Sequence, residues 1–251
     1  MLRCESLEVG IPGRVLVSEL DLTVPRGSFV AVLGTNGAGK SLTLHTLAGL
    51  RQATSGVVRI DGRAVDEWTR RELALRLSLL PQASEDPFPS TVLEAVLVGR
   101  HPHLGFWEWE GEGDLDIAKA ALAAVDLSGF EDRAVESLSG GERRRLAIAG
   151  VLAQDPAICL LDEPTNHLDP NHQIDALALF RSRVDRGGTV IATLHDATLA
   201  ARYADQVLLL FGDGSWIYGD AREALRTDHL ARLYRTPVHE LAFEGRRIFV
   251  T

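Results

Sequence analysis

The chain has 251 residues, 45% of them hydrophobic, which is enough to bury a large core within one domain. Its formal charge of −9 argues against a nucleic-acid surface, because phosphate backbones attract basic stripes. No apolar run approaches the roughly 18 to 20 residues that span a bilayer, and the chain opens without the apolar stretch of a signal peptide.

Strand patterns dominate the first sixty residues. Leu2 to Val9 and Leu20 to Val24 are typical of strands, and Gly56 to Ile60 is followed by the turn residues Asp61-Gly62. These segments predict an antiparallel sheet beside the main fold.

A glycine-rich loop follows the predicted buried strand Ser28 to Leu33. Its sequence is Gly34-Thr35-Asn36-Gly37-Ala38-Gly39-Lys40-Ser41. The loop satisfies G-x-x-x-x-G-K-[ST], and Leu42 to Leu50 is expected to continue as a helix. Glycines let the backbone wrap phosphate oxygens, and a helix start presents free N–H groups. Lys40 would reach the β- and γ-phosphates, and Ser41 would bind Mg²⁺. Thr43 is included among the expected nucleotide-binding residues.

The middle of the chain changes to helical patterns. Leu77 to Leu80 predicts a strand, and an inserted helical lobe is expected over residues 84–155. The acidic loop Phe106 to Asp114 interrupts this block. Its aromatic residues suit a contact with a membrane partner or packing within the lobe.

Two carboxylates end the next predicted strand, Ala157 to Leu161. Asp162 at the strand tip suits a Mg²⁺ site, and Glu163 is positioned to polarise an attacking water as a general base. The alternative is an acidic turn before Pro164.

The last third alternates helix and strand. Helix Asn171 to Val184, strand Thr189 to Leu194 and helix Ala197 to Tyr203 are typical of βαβ units. Val207 to Phe211 and Trp216 to Tyr218 predict a hairpin. We expect one α/β domain over residues 1–251 with a phosphate-loop NTPase core. Its tail, residues 220–251, is expected to hold helices and a short strand and has no assigned role.

A short motif, Leu138-Ser139-Gly140-Gly141-Glu142, precedes the predicted helix Gly140 to Ala153. Taken alone it is a loop and an N-cap. Between a phosphate loop and the Asp162-Glu163 pair, it resembles the signature motif of the ABC transporter ATPases, and the resemblance covers nearly the whole chain. The resemblance implies that Ser139, Gly140 and Gly141 bind the γ-phosphate held by Lys40 of a second chain. The active form would be a homodimer with two sandwiched ATP molecules.

Three further positions match that family in the expected order. Gln82 resembles the Q-loop glutamine, which contacts Mg²⁺ and senses the membrane partner. Asp169, in the D-loop-like pair Leu168-Asp169, would lie along the dimer interface and join the nucleotide-binding residues. His195 resembles the switch histidine that touches the γ-phosphate. Without the family, these are a solvated polar residue, a helix N-cap before Pro170 and a surface histidine.

A narrower resemblance rests on two segments. Thr91 to His103 and Thr165 to Gln173 are similar to importer ATPases for metal chelates: ferric siderophores, haem and cobalamin. This implies permease partners, an indirect link to a substrate-binding protein and a place on the cytoplasmic face of the inner membrane. The alternative is a soluble ABC ATPase of cofactor assembly or DNA maintenance. A GTPase or small kinase is disfavoured because no Asn-Lys-x-Asp motif exists. His101 and His103 lack further residues at metal-ligand spacing.

Two positions depart from the family pattern. Many members place an aromatic residue upstream of the phosphate loop to stack on adenine, whereas the matching residue here is Ile11. Arg143, Arg144 and Arg145 follow the signature motif, where glutamines are common. They suit either phosphate contact or a helix face paired with acidic neighbours, and we favour the second. The two cysteines, Cys4 and Cys159, indicate a reduced, cytoplasmic setting without disulfides or zinc.

Overall fold

The computed structural model describes residues 1–82, 89–105 and 107–251. Within that part of the chain the strands are β1 (Leu2–Ile11), β2 (Arg14–Val24), β3 (Phe29–Gly34), β4 (Ser55–Ile60), β5 (Arg63–Ala64), β6 (Leu77–Leu80), β7 (Ile158–Leu161), β8 (Thr189–Thr193), β9 (Gln206–Leu210), β10 (Trp216–Asp220), β11 (His239–Phe243) and β12 (Arg246–Val250). The α-helices are α1 (Lys40–Leu47), α2 (Arg70–Ala74), α3 (Val92–Leu97), α4 (Glu112–Ala123), α5 (Gly140–Gln154), α6 (Pro170–Asp185), α7 (Ala197–Tyr203), α8 (Ala221–Ala224) and α9 (Thr227–Tyr234). None of the described helices is long and apolar enough to cross a membrane.

The central sheet has six strands in the order β10-β9-β3-β8-β7-β6. Adjacent strands in this sheet run parallel, except that β10 runs antiparallel to β9. Because the carboxyl ends of parallel strands meet at one edge, the segments that follow β3, β6, β7 and β8 lie together. All the expected catalytic residues are in those segments.

Burial on both faces explains the unbroken apolar character of the central strands. In β3, Phe29, Ala31 and Leu33 pack into a core formed with the helices. Val30 and Val32 point to the opposite face and join a second core with the antiparallel sheet. A strand covered on both sides needs apolar residues at every position.

The expected antiparallel sheet is confirmed, with the order β2-β1-β4-β5. Strand β2 is longer than predicted because it pairs with β1 as far back as Ile11↔Arg14. Val15 to Val17, near the start of β2, are consecutive apolar residues. They therefore lack the alternation of apolar and polar residues on which the prediction depended.

The helical block contains α3, α4 and α5, whose apolar faces share one core. The predicted start of the lobe at residue 84 lies outside the described residues, and the lobe boundaries stay a prediction. Helix α1 stops at Leu47 rather than Leu50 because Gly49 adopts a φ of +65°. The tail holds two strands rather than one. They form the hairpin β11-β12 around Glu244 and Gly245, which both have positive φ.

Candidate nucleotide site

The phosphate loop joins β3 to α1 in a conformation that requires glycine. A Cβ atom at Gly34 would lie 2.8 Å from the backbone oxygen of Leu210, which is too close for any side chain. Gly39 has a φ of +100°, and a Cβ atom there would also press on Leu16 at 3.1 Å. These constraints explain why the loop turns sharply and delivers Lys40 to the first turn of α1.

Lys40 is buried, and its ammonium group lies over its own loop. Nζ donates to the backbone oxygen of Gly34 at 2.9 Å and to that of Thr35 at 3.4 Å. Burial lowers the pKa of Lys40, while the charges of Glu163 and Asp162 act in the opposite direction. A buried cation whose hydrogen bonds within residues 1–82, 89–105 and 107–251 go to carbonyl groups is well suited to an anionic ligand.

Asp162 and Thr193 link the tips of two neighbouring strands. The Thr193 hydroxyl donates to Oδ1 of Asp162 at 2.7 Å and accepts from the backbone N–H of Glu163 at 2.7 Å. The other carboxylate oxygen, Oδ2, is buried and has no hydrogen-bond partner among the described residues. An orphaned carboxylate oxygen in the interior is costly unless a cation binds it.

Glu163 stands at the centre of a polar cluster. Its Oε2 accepts from Nε2 of Gln82 at 2.8 Å and also from Nδ2 of Asn166. Its Oε1 lies 2.7 Å from Nε2 of His195. The residue is buried and has a φ of +49°, in the left-handed region that non-glycine residues adopt at a cost in backbone strain. The cluster therefore holds one carboxylate in a defined orientation.

A cavity of about 390 Å³ brings together residues from the phosphate loop and from the segments that follow β6 and β7, whereas Asp162 and His195 are not among its lining residues. Lys40, Ser41, Gln82 and Glu163 line it, and Ile11 also borders it. Thr43 lies behind the loop, buried, and donates its hydroxyl to the backbone oxygen of Gly39 at 2.8 Å.

The signature residues do not reach this cavity within one chain, since none of Ser139, Gly140 and Gly141 lines it. Ser139 caps α5 instead. Its hydroxyl accepts from the backbone N–H of Glu142 at 3.3 Å, and the Glu142 carboxylate accepts from the N–H of Ser139 at 2.7 Å. These bonds with Ser139 lower the pKa of Glu142. Asp169 caps α6 in the same way, accepting from the N–H of His172 at 3.0 Å.

Sequence reasoning missed three residues at the site. Thr193 is a polar residue in an apolar strand, and that contrast was the available signal. Asn166 follows Glu163 by three residues, yet only the folded turn brings its amide to the carboxylate. Arg14 lines the cavity and donates to the backbone oxygen of Gly212 at 2.9 Å, a contact that the sequence did not indicate.

The prediction that Arg143 to Arg145 pair with acidic neighbours is wrong. Arg143 donates to the backbone oxygens of Leu138 and Glu136, and Arg145 to those of Val125 and Asp126. Arg144 is buried and also bonds to carbonyl groups, as described below. The carboxylate of the adjacent Glu142 already accepts a hydrogen bond from the N–H of Ser139. The arginines donate instead to backbone carbonyl groups at turns.

The histidine and tryptophan residues of the helical block lie apart from this cavity. His101 lies 3.5 Å from the carboxylate of Glu110, and Nε2 of His103 lies 2.8 Å from the backbone oxygen of Gln154. Trp107 and Trp109 are both 88% exposed, so they do not pack inside the lobe. Phe106 lies outside the described residues.

Comparisons with known proteins agree with this geometry. The family model described as ABC transporter matches residues 17–166. The chain belongs to the ABC transporter family. It contains the cassette that hydrolyses ATP to drive transport, in the α/β fold expected from the sequence.

Three similar proteins illustrate the relationship. The hemin import ATP-binding protein of Streptomyces coelicolor is 42% identical over 234 residues, which cover 92% of this chain and 82% of the relative. A solved inward-facing ABC transporter, described as of the metal-chelate type, has a TM-score of 0.85 and 28% identity, covering 99% of this chain and 96% of that chain. A dimeric cassette bound to ADP and Pi has a TM-score of 0.78 and 26% identity, covering 88% and 99%.

Proposed function

We propose that this ABC ATPase powers the import of a metal chelate, with hemin as the first cargo to test. The identity to a hemin import ATP-binding protein and the likeness to a metal-chelate transporter support this cargo class. Ferric siderophores and cobalamin remain alternative cargoes. A soluble ABC ATPase of cofactor assembly or DNA maintenance is not favoured by these relatives.

The proposed assembly is a homodimer of cassettes bound to integral permease subunits. Each chain contributes one phosphate loop and one signature motif, and the likeness to a dimeric cassette supports pairing. The permease would hold the dimer at the cytoplasmic face of the inner membrane. A substrate-binding protein would deliver the chelate from the other side.

Mg²⁺ is the cation proposed to bind with ATP. The hydroxyl of Ser41, the amide of Gln82 and the free Oδ2 of Asp162 would hold it, and Mg²⁺ commonly uses one or two carboxylates together with substrate phosphates. The orphaned Asp162 oxygen fits this role. When bound, the cation neutralises charge on the β- and γ-phosphates.

Hydrolysis is proposed to proceed through groups contributed by two chains. Lys40 would exchange the carbonyls of Gly34 and Thr35 for phosphate oxygens, and the N–H groups at the start of α1 would bind the remaining phosphates. Glu163 would accept the proton of the attacking water, and His195 would contact the γ-phosphate. Ser139 and Gly141 of the opposite chain would close the site at the N-terminus of α5, with Asp169 at the interface between the chains.

The observation that carries this proposal is the meeting of Lys40 and the Glu163 cluster in one cavity. The test is transport by the purified complex in liposomes, made by expressing this chain with its neighbouring permease and binding protein. Hemin-loaded binding protein should raise the rate of ATP hydrolysis and drive hemin uptake. ATPase activity that responds only to a siderophore-loaded or cobalamin-loaded binding protein would reassign the cargo. Purification with soluble partners alone would favour the non-transport alternative.

A further inference from the structure

Arg144 makes an unusual set of contacts from the second turn of α5. Only 5% of the residue is exposed. Its Nη1 donates to the backbone oxygen of Pro81 at 2.6 Å, and its Nη2 donates to those of Asp162 and Glu163 at 2.5 and 2.7 Å. Its Nε donates to the backbone oxygen of Pro164 at 3.3 Å.

These carbonyl groups satisfy a charge that is otherwise costly to bury. No carboxylate forms an ion pair with Arg144 in the part of the chain that the structure describes. Burial lowers the pKa of Arg144 to about 10, and the charges of Asp162 and Glu163 act in the opposite direction. The side chain therefore remains charged near neutral pH, and its planar fork presents five N–H donors in a fixed geometry, whereas an ammonium group has three on one atom.

The acceptors belong to two different segments of the nucleotide site. Pro81 immediately precedes Gln82, whose amide donates to Glu163. Asp162, Glu163 and Pro164 form the turn after β7. Arg144 itself lies on α5, the helix that begins at the signature motif. One guanidinium thus joins α5, the signature helix, to Pro81 and Gln82, here called the Gln82 segment. It also joins α5 to the turn Asp162 to Pro164, here called the Glu163 turn, which carries both carboxylates.

We infer that Arg144 is a positioning residue for ATP hydrolysis, fixing the Glu163 turn against the Gln82 segment and linking both to the signature helix. The backbone of Glu163 has a φ of +49°, and hydrogen bonds to the flanking carbonyls hold this conformation. The Glu163 carboxylate then points at the attacking water only while α5 is in place. This inference rests on the proposed role of Glu163 as the general base.

The test compares Arg144→Gln with Arg145→Gln in steady-state ATP hydrolysis. Arg145→Gln is the matched control because it removes a guanidinium from the same helix. The acceptors of Arg145 are the backbone carbonyls of Val125 and Asp126, which lie within the helical block. Arg144→Gln should lower kcat by about 10- to 100-fold with KM for ATP unchanged, since small misplacements of a catalytic group have effects of that size. Arg145→Gln should stay within about twofold of the wild type in kcat, because its contacts do not reach the site.

A second variant covers the case in which Arg144→Gln does not fold. Arg144→Lys keeps the charge and the aliphatic stem but not the fork, so it should fold and still show a reduced kcat. A wild-type kcat in a folded Arg144→Gln or Arg144→Lys protein would overturn the inference. So would a raised KM for ATP with an unchanged kcat, which would indicate a role in binding.

The variant Glu163→Gln distinguishes a failure of the positioning role of Arg144 from a failure of the general-base role of Glu163, on which it rests. Turnover that persists in Glu163→Gln would overturn the general-base role itself. If Glu163→Gln is inactive while folded Arg144→Gln retains wild-type kcat, only the positioning role of Arg144 fails.

Discussion

Glu163 shows how the fold holds a single side chain in the orientation that its proposed catalytic role needs. It is buried at the end of a strand, has a strained backbone and is held by contacts with Gln82, Asn166 and His195. Such contacts fix the carboxylate before ATP arrives, so no reorganisation is needed during the reaction. One oxygen of the neighbouring Asp162 has no hydrogen-bond partner in the part of the chain that the structure describes, so the two adjacent carboxylates have different environments and are suited to different tasks.

Glu163→Gln should abolish turnover while preserving ATP binding. The amide has nearly the same shape but cannot accept the proton, and loss of a general base costs at least about 100-fold in rate. ATP hydrolysis and binding of labelled ATP would measure the two effects. With ATP and Mg²⁺ the variant should also accumulate as a dimer in gel filtration. A variant that stays monomeric under those conditions would contradict the two-chain site.

Recognition of the nucleotide base also depends on single residues. Ile11 borders the cavity and is 44% exposed, and none of the cavity-lining residues is a Tyr or Trp. We expect GTP to be hydrolysed with kcat/KM within a few-fold of ATP, because stacking on an aromatic ring is worth only about 1 to 3 kcal/mol and is missing here. Steady-state hydrolysis of both nucleotides is the measurement, and Ile11→Tyr is the companion variant, which should raise kcat/KM for ATP and GTP alike because an aromatic ring stacks on either base. A strong ATP preference in the wild type would count against this expectation.

At the scale of elements, a capping group and an ion pair hold the helices of the helical block together. Arg100 is buried in the turn after α3, where its Nη1 donates to the backbone oxygen of Ala153 at 2.8 Å. Its Nε donates to the carboxylate of Asp114 at 2.9 Å, and that carboxylate also accepts from the N–H of Gly111 at 3.1 Å. These bonds join the ends of three helices, α3, α4 and α5.

Asp114→Asn should destabilise the protein in a pH-dependent way. The Arg100 guanidinium, followed by the Gly111 N–H, lowers the pKa of Asp114 below its ordinary value of 3.8. Stability from this ion pair is therefore present above about pH 4 and is lost as the pH falls through the lowered pKa. Near pH 7 the variant should lose about 1 to 3 kcal/mol of unfolding free energy, because a buried guanidinium loses its charged partner. The difference should shrink as the pH falls through the lowered pKa of Asp114.

Urea unfolding at several pH values would measure this effect. Asp116→Asn is the matched control, since Asp116 is on the same helix and exposed. Equal losses for both variants at neutral pH would show that the Arg100 contact contributes nothing specific.

At the scale of the whole molecule, the proposed two-chain assembly implies that each chain contains two half sites. The phosphate loop and the Glu163 cluster share a cavity that the signature residues do not line. A signature motif that serves the opposite chain makes dimerisation a condition of activity. The two sites are then related by the twofold axis of the pair.

Mixing two inactive variants tests this directly. Lys40→Ala and Gly141→Asp should each be inactive alone, because both sites of each homodimer are damaged. In a mixed dimer, Lys40 of one chain meets the undamaged signature motif of the other, so one site is intact. An equal mixture should recover up to about a quarter of wild-type activity if chains pair at random and sites act independently. No recovery, in a mixture shown by mass spectrometry to contain mixed dimers, would contradict the two-chain site.

The sequence by itself determined the fold class and most elements, and it predicted the chemistry of the site. The phosphate loop, the Asp162-Glu163 pair and the apolar strands around them are local patterns, so they are readable without a structure. Strand β6 and helix α7 have the predicted bounds, and the hairpin β9-β10 is confirmed. The roles of the site residues stay predictions that the geometry supports.

Only the tertiary structure decided which distant groups meet. Residues 81 and 144 lie far apart in sequence, and no local pattern indicates that Arg144 bonds to the carbonyl of Pro81. The pairing of Thr193 with Asp162 likewise depends on two strands being neighbours in the sheet. The second tail strand and the early start of β2 depend on their pairing partners. Propensity acts within a few residues, whereas hydrogen bonding and burial at this site are satisfied between segments that only folding brings together.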